Sequence, residues 1–436
     1  MALFAERNQK IGSENAFKVG PHIVHVDKSR GPVVKLNLGE PDYDLPKAVN
    51  AEIKRQLDLG NTHYCDPQGT PNLRSSISEY VNRTRGLKTT QGHVVVFPGG
   101  KPSIGLTQQI YCNPGDEVIY PSPGFPIYES FIRYVQAVPV PLHLDESAGF
   151  TFTSQQLEEL ITPRTKVIYL NFPSNPTGGV ASQAQIEEIA DVILHKAPAD
   201  VRVYSDEIYE RIVFDSQQHY SILKVPGMAE RTILASGFSK TFAWTGGRIG
   251  YAVLPTVEEA EMFKTLNINY FSCVAPYNQE AAVVALTDST VEQEVLGMVQ
   301  TFEERRDVVQ EDLRAIPGVE CQKPGGAFYL FPNIGGVCES MGLIDYHAQL
   351  DQSEKDENSP AGLFQMFALY EHQVAVMDRL SFGRIGAEGK HFLRLSTASE
   401  LGVLRDGVRR LSDAAQDQAG GDEAGAHRVT LPRAAD

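Results

Sequence analysis

Residues 236–250 read Ser-Gly-Phe-Ser-Lys-Thr-Phe-Ala-Trp-Thr-Gly-Gly-Arg-Ile-Gly, a run of small residues holding one lysine, Lys240, and one arginine, Arg248, eight positions later. A lysine among small, uncharged neighbours in a partly dry pocket can lose its proton near neutral pH and attack a carbonyl. An arginine brought back by the turn can grip an anionic group on the same compound with a planar fork of donors. Pyridoxal 5'-phosphate carries both handles. Taken alone, such a lysine is as readily part of a solvated loop. The flanks, 232–235 and 249–254, read as short buried strands and hang the loop from a sheet.

Three further motifs come at the ends of predicted strands, where open α/β sheets bind ligands, and a fourth lies in an apolar run late in the chain. Phe97-Pro98-Gly99-Gly100-Lys101-Pro102-Ser103 opens a helix, so its bare amides can cradle a phosphate, although Gly-Gly is more often only a turn. Asn171-Phe172-Pro173-Ser174-Asn175-Pro176-Thr177-Gly178 presents Asn175 from a proline-fixed backbone, or is simply an Asn-Pro turn. In Tyr204-Ser205-Asp206-Glu207-Ile208-Tyr209 the three-residue spacing sets Asp206 and Tyr209 on one side of a turn. A buried carboxylate needs a partner, and a protonated pyridine nitrogen is one; the bland alternative is a helix cap and a core tyrosine. Asn175 and Tyr209 could reach the phenolic oxygen of the same ring. Late in the chain, Phe392-Leu393-Arg394-Leu395-Ser396 buries an arginine that needs an anion, either a structural partner or a substrate carboxylate.

The elements that must position these residues follow an α/β rhythm. Strands are predicted at 93–97, 117–120, 138–142, 166–171, 201–205, 232–235 and 250–254, several without alternation, as expected when helices cover both faces. Helices are predicted at 154–161 and at 182–195 with Ser182 as N-cap. A long helical stretch over 279–316 leads into a smaller module ending near Leu411. The division expected is an N-terminal segment 1–46 packing with the small domain, a large cofactor domain 47–316 and a small domain 317–411. The charged stretch 340–362 reads as an aperiodic surface insertion, and 412–436, rich in Ala, Asp and Gly, as a disordered tail. No internal repeat is present.

The 436 residues carry a net charge of −16, which speaks against nucleic acid or an anionic membrane as the main partner. Five scattered cysteines form no Cys-x-x-Cys pair, so neither a disulfide framework nor a metal site is expected, and a reducing cytoplasm fits. No export signal and no apolar run of about twenty residues is found.

From Lys35 to Leu411 the order Asn-Pro-Thr-Gly, Asp-x-x-Tyr, Ser-Lys with Arg eight later, then Arg-Leu-Ser resembles the class I and II aminotransferases of the aspartate aminotransferase superfamily, pyridoxal phosphate enzymes of fold type I. The resemblance implies a mostly parallel seven-stranded sheet between helices plus a smaller α+β domain. It implies that Lys240 carries the internal aldimine and shuttles the proton in a ping-pong, quinonoid mechanism between an L-amino acid and a 2-oxo acid. Asp206 would hold the pyridinium, with Asn175 and Tyr209 at the phenolic oxygen. Gly100, Lys101, Ser239 and Arg248 would bind phosphate, the first two through backbone amides, and Phe125 would stack on the ring. Arg394 would take the substrate α-carboxylate, helped by the Gly39 backbone. Tyr64 matches a tyrosine that reaches the phosphate of the neighbouring subunit, which implies a homodimer with shared sites.

Three features depart from the family pattern. Gly237 stands where Ser or Thr is usual, so one phosphate hydroxyl is missing or comes from Ser236. Ala-Trp-Thr-Gly-Gly-Arg at 243–248 replaces the common Ala-Met-Thr-Gly-Trp-Arg. The insertion at 340–362 has no placed counterpart. Since the same first steps serve elimination, replacement, cyclisation or oxidation of an amino acid, these stand as the alternative to transamination. A regulator built on a retired domain is disfavoured by the retained Lys240, Asp206, Tyr209, Arg248 and Arg394. A dicarboxylic substrate needs a second cation, for which Lys101, Arg30, Arg379 and Arg384 are candidates.

Overall fold

The computed structural model describes residues 3–12 and 15–417. Its strands, in chain order, are β1 (Val34–Lys35), β2 (Val94–Phe97), β3 (Glu117–Ser122), β4 (Val138–His143), β5 (Thr165–Asn171), β6 (Arg202–Asp206), β7 (Thr232–Gly237), β8 (Gly250–Val253), β9 (Tyr329–Leu330), β10 (Val374–Ala375), β11 (Met377–Asp378) and β12 (Leu393–Ser396). Seven of them form one sheet in the order β2-β8-β7-β6-β5-β3-β4. Only β8 runs against its neighbours, so the sheet is mostly parallel, as the sequence predicts.

The seven predicted strands are all present, with ends shifted by one or two residues. Every residue of β2, β3, β7 and β8 is buried, which explains the unbroken apolar runs: both faces lie under helices. The helix Gln183–Lys196 begins at Ser182, whose hydroxyl accepts the Gln185 amide while the Gln185 side chain returns the bond.

A second, three-stranded sheet, β11-β12-β9, packs with the helices Ser289–Arg314, Pro360–His372 and Leu401–Gln416 around a separate apolar cluster that includes Leu313, Phe364, Leu395 and Leu411. β1 pairs in parallel with β10, and Leu36 joins that cluster.

Three expectations need correction. The stretch 279–316 is two helices, Pro276–Thr287 and Ser289–Arg314, because Asp288 adopts an extended backbone and its carboxylate caps the second helix at the Thr290 amide, 2.7 Å away. The insertion is helical, with Leu343–Gln349 and Gln352–Glu357 inside it and Pro360–His372 beginning there. Its charge run conceals a capping box in which Asp351 and Glu354 satisfy each other's backbone amides. The tail does not begin at Ser412: the helix continues to Gln416, with Leu411 and Ala414 buried, and residues 418–436 of the expected disordered stretch lie outside the described residues.

Candidate active site

The carboxyl ends of β2, β5, β6 and β7 open on one cavity of about 590 Å³. Gly39, Gly100, Lys101, Phe125, Asn175, Asp206, Tyr209, Ser239, Lys240, Arg248 and Arg394 all line it. Tyr64 does not; its side chain is 90% exposed on the surface.

Asp206 ends β6 and is the acid that alternation turns toward the cavity. Its Oδ2 accepts the Tyr128 hydroxyl at 2.6 Å and its Oδ1 the Ile208 amide at 3.3 Å. Burial pushes its pKa up from 3.8 to about 6, against the pull of those two donors, and the adjacent Glu207 charge adds to the rise. Glu207 faces the other way and is fully buried, with Arg85 at 2.6 Å, His219 at 3.1 Å and the hydroxyls of Ser205 and Ser221 around it. Burial opposes its ionisation, but Arg85 and His219 outweigh burial and hold it well below the usual carboxylate range. Two adjacent acids are thus driven apart: one ionised within the protein, the other half-buried at the cavity with its pKa raised chiefly by burial.

Lys240 Nζ donates to the Gly39 carbonyl at 2.5 Å and lies 5.9 Å from the centroid of Phe328. Gly39 therefore meets the site through its carbonyl in this structure, and it must be glycine, since a Cβ there would fall 2.0 Å from the Tyr329 hydroxyl. That hydroxyl shares a 2.7 Å bond with Tyr209, whose burial raises its pKa well above the ordinary value.

The Arg394 guanidinium is sandwiched between the rings of Tyr329 and Phe382, at 4.7 and 4.8 Å. It donates to the Asn37 carbonyl at 2.5 Å and to Asn175 Oδ1 at 3.1 Å. Asn175 is further tied by its amide to Asn171 Oδ1, so its side-chain nitrogen is the donor that can face a ligand.

On the opposite wall Gly100 precedes the helix Lys101–Tyr111. Gly99 turns with φ 86°, and a Cβ there would lie 2.1 Å from Arg248 Nη2. Its absence lets the Arg248 guanidinium rest beside the phosphate-type turn, where it donates to the carbonyls of Thr245 and Pro98. Lys101 Nζ sits 5.7 Å from the centroid of the Phe125 ring.

The departures in the lysine loop have physical reasons. A Cβ on Gly237 would press the Gly250 Cα and Ile249 carbonyl at 3.0 Å, crowding the β7–β8 pairing; Ser236, not Gly237, lines the cavity. A Cβ on Gly247 would lie 2.0 Å from Trp244 Nε1, so the buried indole of Trp244 fills the space a side chain at 247 would need.

Of the four cations considered for a second carboxylate, only Lys101 lines the cavity. Arg30 pairs with Glu371 at the surface, Arg384 is exposed and donates to the Asp356 carbonyl, and Arg379 is buried against Ser122 and Gly383. Sequence reasoning missed Tyr128, Tyr329, Asn37 and Phe382. Tyr128 had a signal, standing in the same 122–128 motif as Phe125 just inside the helix Ile127–Tyr134; the others reach the site only through tertiary packing.

A half-buried acid that calls for a cationic partner, an amine from a glycine-flanked loop and an anion cradle at a helix start fit pyridoxal phosphate, and the fold is that of fold type I transferases built around it. Residues 31–411 match the model of the family described as aminotransferase class I and II, and the chain belongs to it. It is 34% identical to an aspartate aminotransferase of Pyrococcus horikoshii over 88% of this chain and 91% of that protein. It is 38% identical to an aspartate/prephenate aminotransferase of Cereibacter sphaeroides over 87% and 90%. The crystal structure of an aspartate aminotransferase from Rhizobium meliloti superposes with a TM-score of 0.84 at 31% identity, covering 95% of this chain and 99% of that one. The protein is thus a pyridoxal phosphate-dependent aminotransferase, and elimination, replacement, cyclisation or oxidation is not favoured.

Proposed function

We propose that the amino group moves between an L-amino acid and a 2-oxo acid, with a dicarboxylic, aspartate-like compound as one partner. The observation that carries this reading is the convergence of Lys240, Asp206, Arg394 and Lys101 on one cavity. When bound, pyridoxal phosphate supplies an electron sink conjugated to the substrate nitrogen. Every other part of the work falls to the chain.

Asp206, steadied by the Tyr128 hydroxyl, keeps a proton on the ring nitrogen; the raised carboxyl pKa marks an anion that gains by meeting a cation. Lys240 holds the cofactor and then, as a free amine, moves a proton at the substrate α-carbon. Asn175 and Tyr209 donate to the phenolic oxygen. The amides of Gly100 and Lys101 with Ser239 and Arg248 hold the phosphate. Arg394, stacked between two rings, presents its fork to the α-carboxylate, and Phe125 walls the ring plane. The Lys101 ammonium lines the same cavity and is placed by this reading at a distal carboxylate, in keeping with relatives named aspartate aminotransferases.

The protein acts as a homodimer in this reading, with Tyr64 reaching a partner's phosphate; its exposure outside its own cavity supports this. The separate apolar cluster of 309–414 with Leu36 supports a small domain at 317–411 joined by the N-terminal segment, beside a large domain at 47–316. The five cysteines are free and no helix among the described residues is long and apolar enough to cross a membrane, which supports a cytoplasmic setting.

The test is a panel of amino-acid donors with 2-oxoglutarate or oxaloacetate as acceptor. Highest kcat/KM for aspartate or glutamate, with a selective loss for these in Lys101→Ser, supports the reading. Preference for monocarboxylic donors, unchanged in that variant, overturns it.

A further inference from the structure

Arg379 is among the largest fully buried side chains in the molecule, and it lies outside the cavity. It follows β11 and sits at the junction of two walls. One wall is the segment Met377–Phe382, which gives Met377, Ser381 and Phe382 to the cavity; Phe382 is also one of the two rings that clamp Arg394. The other wall is the turn after β3, Ser122 to Phe125, which carries Phe125 and leads to Pro126 and Tyr128, also in the cavity.

The guanidinium joins these walls. Nη2 donates to Ser122 Oγ at 3.1 Å and Nη1 donates to the Gly383 carbonyl. Beside this clasp the Gly124 amide donates to the Phe382 carbonyl at 2.9 Å. The far end of the segment is tied down separately: Asp378 accepts the Ser381 hydroxyl at 2.8 Å and the Ser359 hydroxyl at 3.2 Å, and its amide donates to Gln365. Burial lowers the Arg379 pKa to about 10, with Asp378, Tyr120 and Glu129 holding it up, so the clasp is charged throughout the working pH range.

A flexible ammonium could reach one of the two acceptors, but only a planar fork spans a hydroxyl on one wall and a carbonyl on the other. We infer that Arg379 is a positioning residue for amino transfer, setting the separation of the Phe125 and Phe382 walls and thereby the width open to the substrate side chain. The inference rests on the reading that this cavity takes the substrate. It removes Arg379 from the substrate-contacting cations and gives it control over selection by size.

Loosening the clasp without a new charge lets the walls part. A small dicarboxylic substrate is then gripped less well, while a bulky aromatic one gains room. Arg379→Met is compared with wild type and Arg379→Lys in the holoenzyme, using aspartate and phenylalanine as donors. Binding of maleate, a dicarboxylate with no amine to transfer, is measured by calorimetry. The expected result for Arg379→Met is a fall of about tenfold or more in kcat/KM for aspartate with a matching loss of maleate affinity, and an unchanged or higher kcat/KM for phenylalanine. Arg379→Lys restores little of the aspartate-to-phenylalanine ratio, because it cannot span both walls.

An equal loss for both donors, or a ratio fully restored by lysine, overturns the positioning role, as does unchanged maleate affinity. Should Arg379→Met not fold, Ser122→Ala removes the same contact from the other wall and is expected to shift the ratio in the same direction; no shift there overturns the inference. Wild-type activity on neither donor would instead defeat the functional reading itself, so the two failures are distinguishable.

Discussion

Removing the Asp206 carboxylate should change how stability depends on pH in the cofactor-free protein. Its pKa stands near 6 in the fold against 3.8 for the free side chain, chiefly because burial disfavours the charge. A raised acid pKa means the folded state holds the proton more tightly than the unfolded chain. The resulting stabilisation is complete below about pH 4 and is lost as pH rises through 6. The shift corresponds to at most about 3 kcal/mol. Urea unfolding of the apoprotein from pH 4.5 to 7.5, with Asp206→Asn alongside, reads this directly. The wild type should lose stability relative to the variant as pH rises to about 6, and the two curves should run parallel above 7. Bound cofactor, which brings a cation to Asp206, should flatten the difference. Parallel curves throughout, or a wild type that gains on the variant as pH rises, would refute the reasoning.

Three further outcomes are expected. Gly247→Ala should destabilise the fold by about 1–3 kcal/mol, because the new Cβ meets the Trp244 indole, and Trp244→Met in the same chain should relieve much of that cost; denaturant midpoints of the four proteins check the coupling. Arg394→Gln should lower kcat/KM by roughly ten- to a hundredfold for every amino-acid donor, since it removes a charge-assisted grip common to all of them, and a steady-state donor panel measures it. In the proposed homodimer, Tyr64→Phe should weaken cofactor retention on dialysis without changing the sedimentation coefficient, because Tyr64 is exposed and does not line its own cavity.

Much of the sheet was legible because its strands are buried on both faces and so read as unbroken runs such as Val94-Val95-Val96-Phe97. Three of the site residues were legible because each is costly in an apolar setting without a partner: a carboxylate at the end of β6, an arginine inside β12 and an amine in the loop after β7. What stayed hidden depends on partners far along the chain. Tyr329 reaches Tyr209 across 120 residues, and Phe382 meets Arg394 only when β11 and β12 pair. The helices inside 340–362 were missed because surface charge masks periodicity, and only the Asp351-to-Glu354 spacing marks a cap. The break at Asp288 was missed for a similar reason: a single aspartate in a helical pattern gives no warning that its own carboxylate will restart the helix. Trp244 and Gly247 look like two unrelated departures in sequence and are one exchange in space.

The central claim is that Lys240 carries the cofactor and that the cavity transfers an amino group. Holoenzyme mixed with aspartate in the absence of any 2-oxo acid should release one equivalent of oxaloacetate per site and no ammonia. Borohydride reduction of the resting enzyme should fix the cofactor to the peptide bearing Lys240, and Lys240→Ala should show neither event. Ammonia released in step with the product, or cofactor fixed to another lysine, would contradict the account.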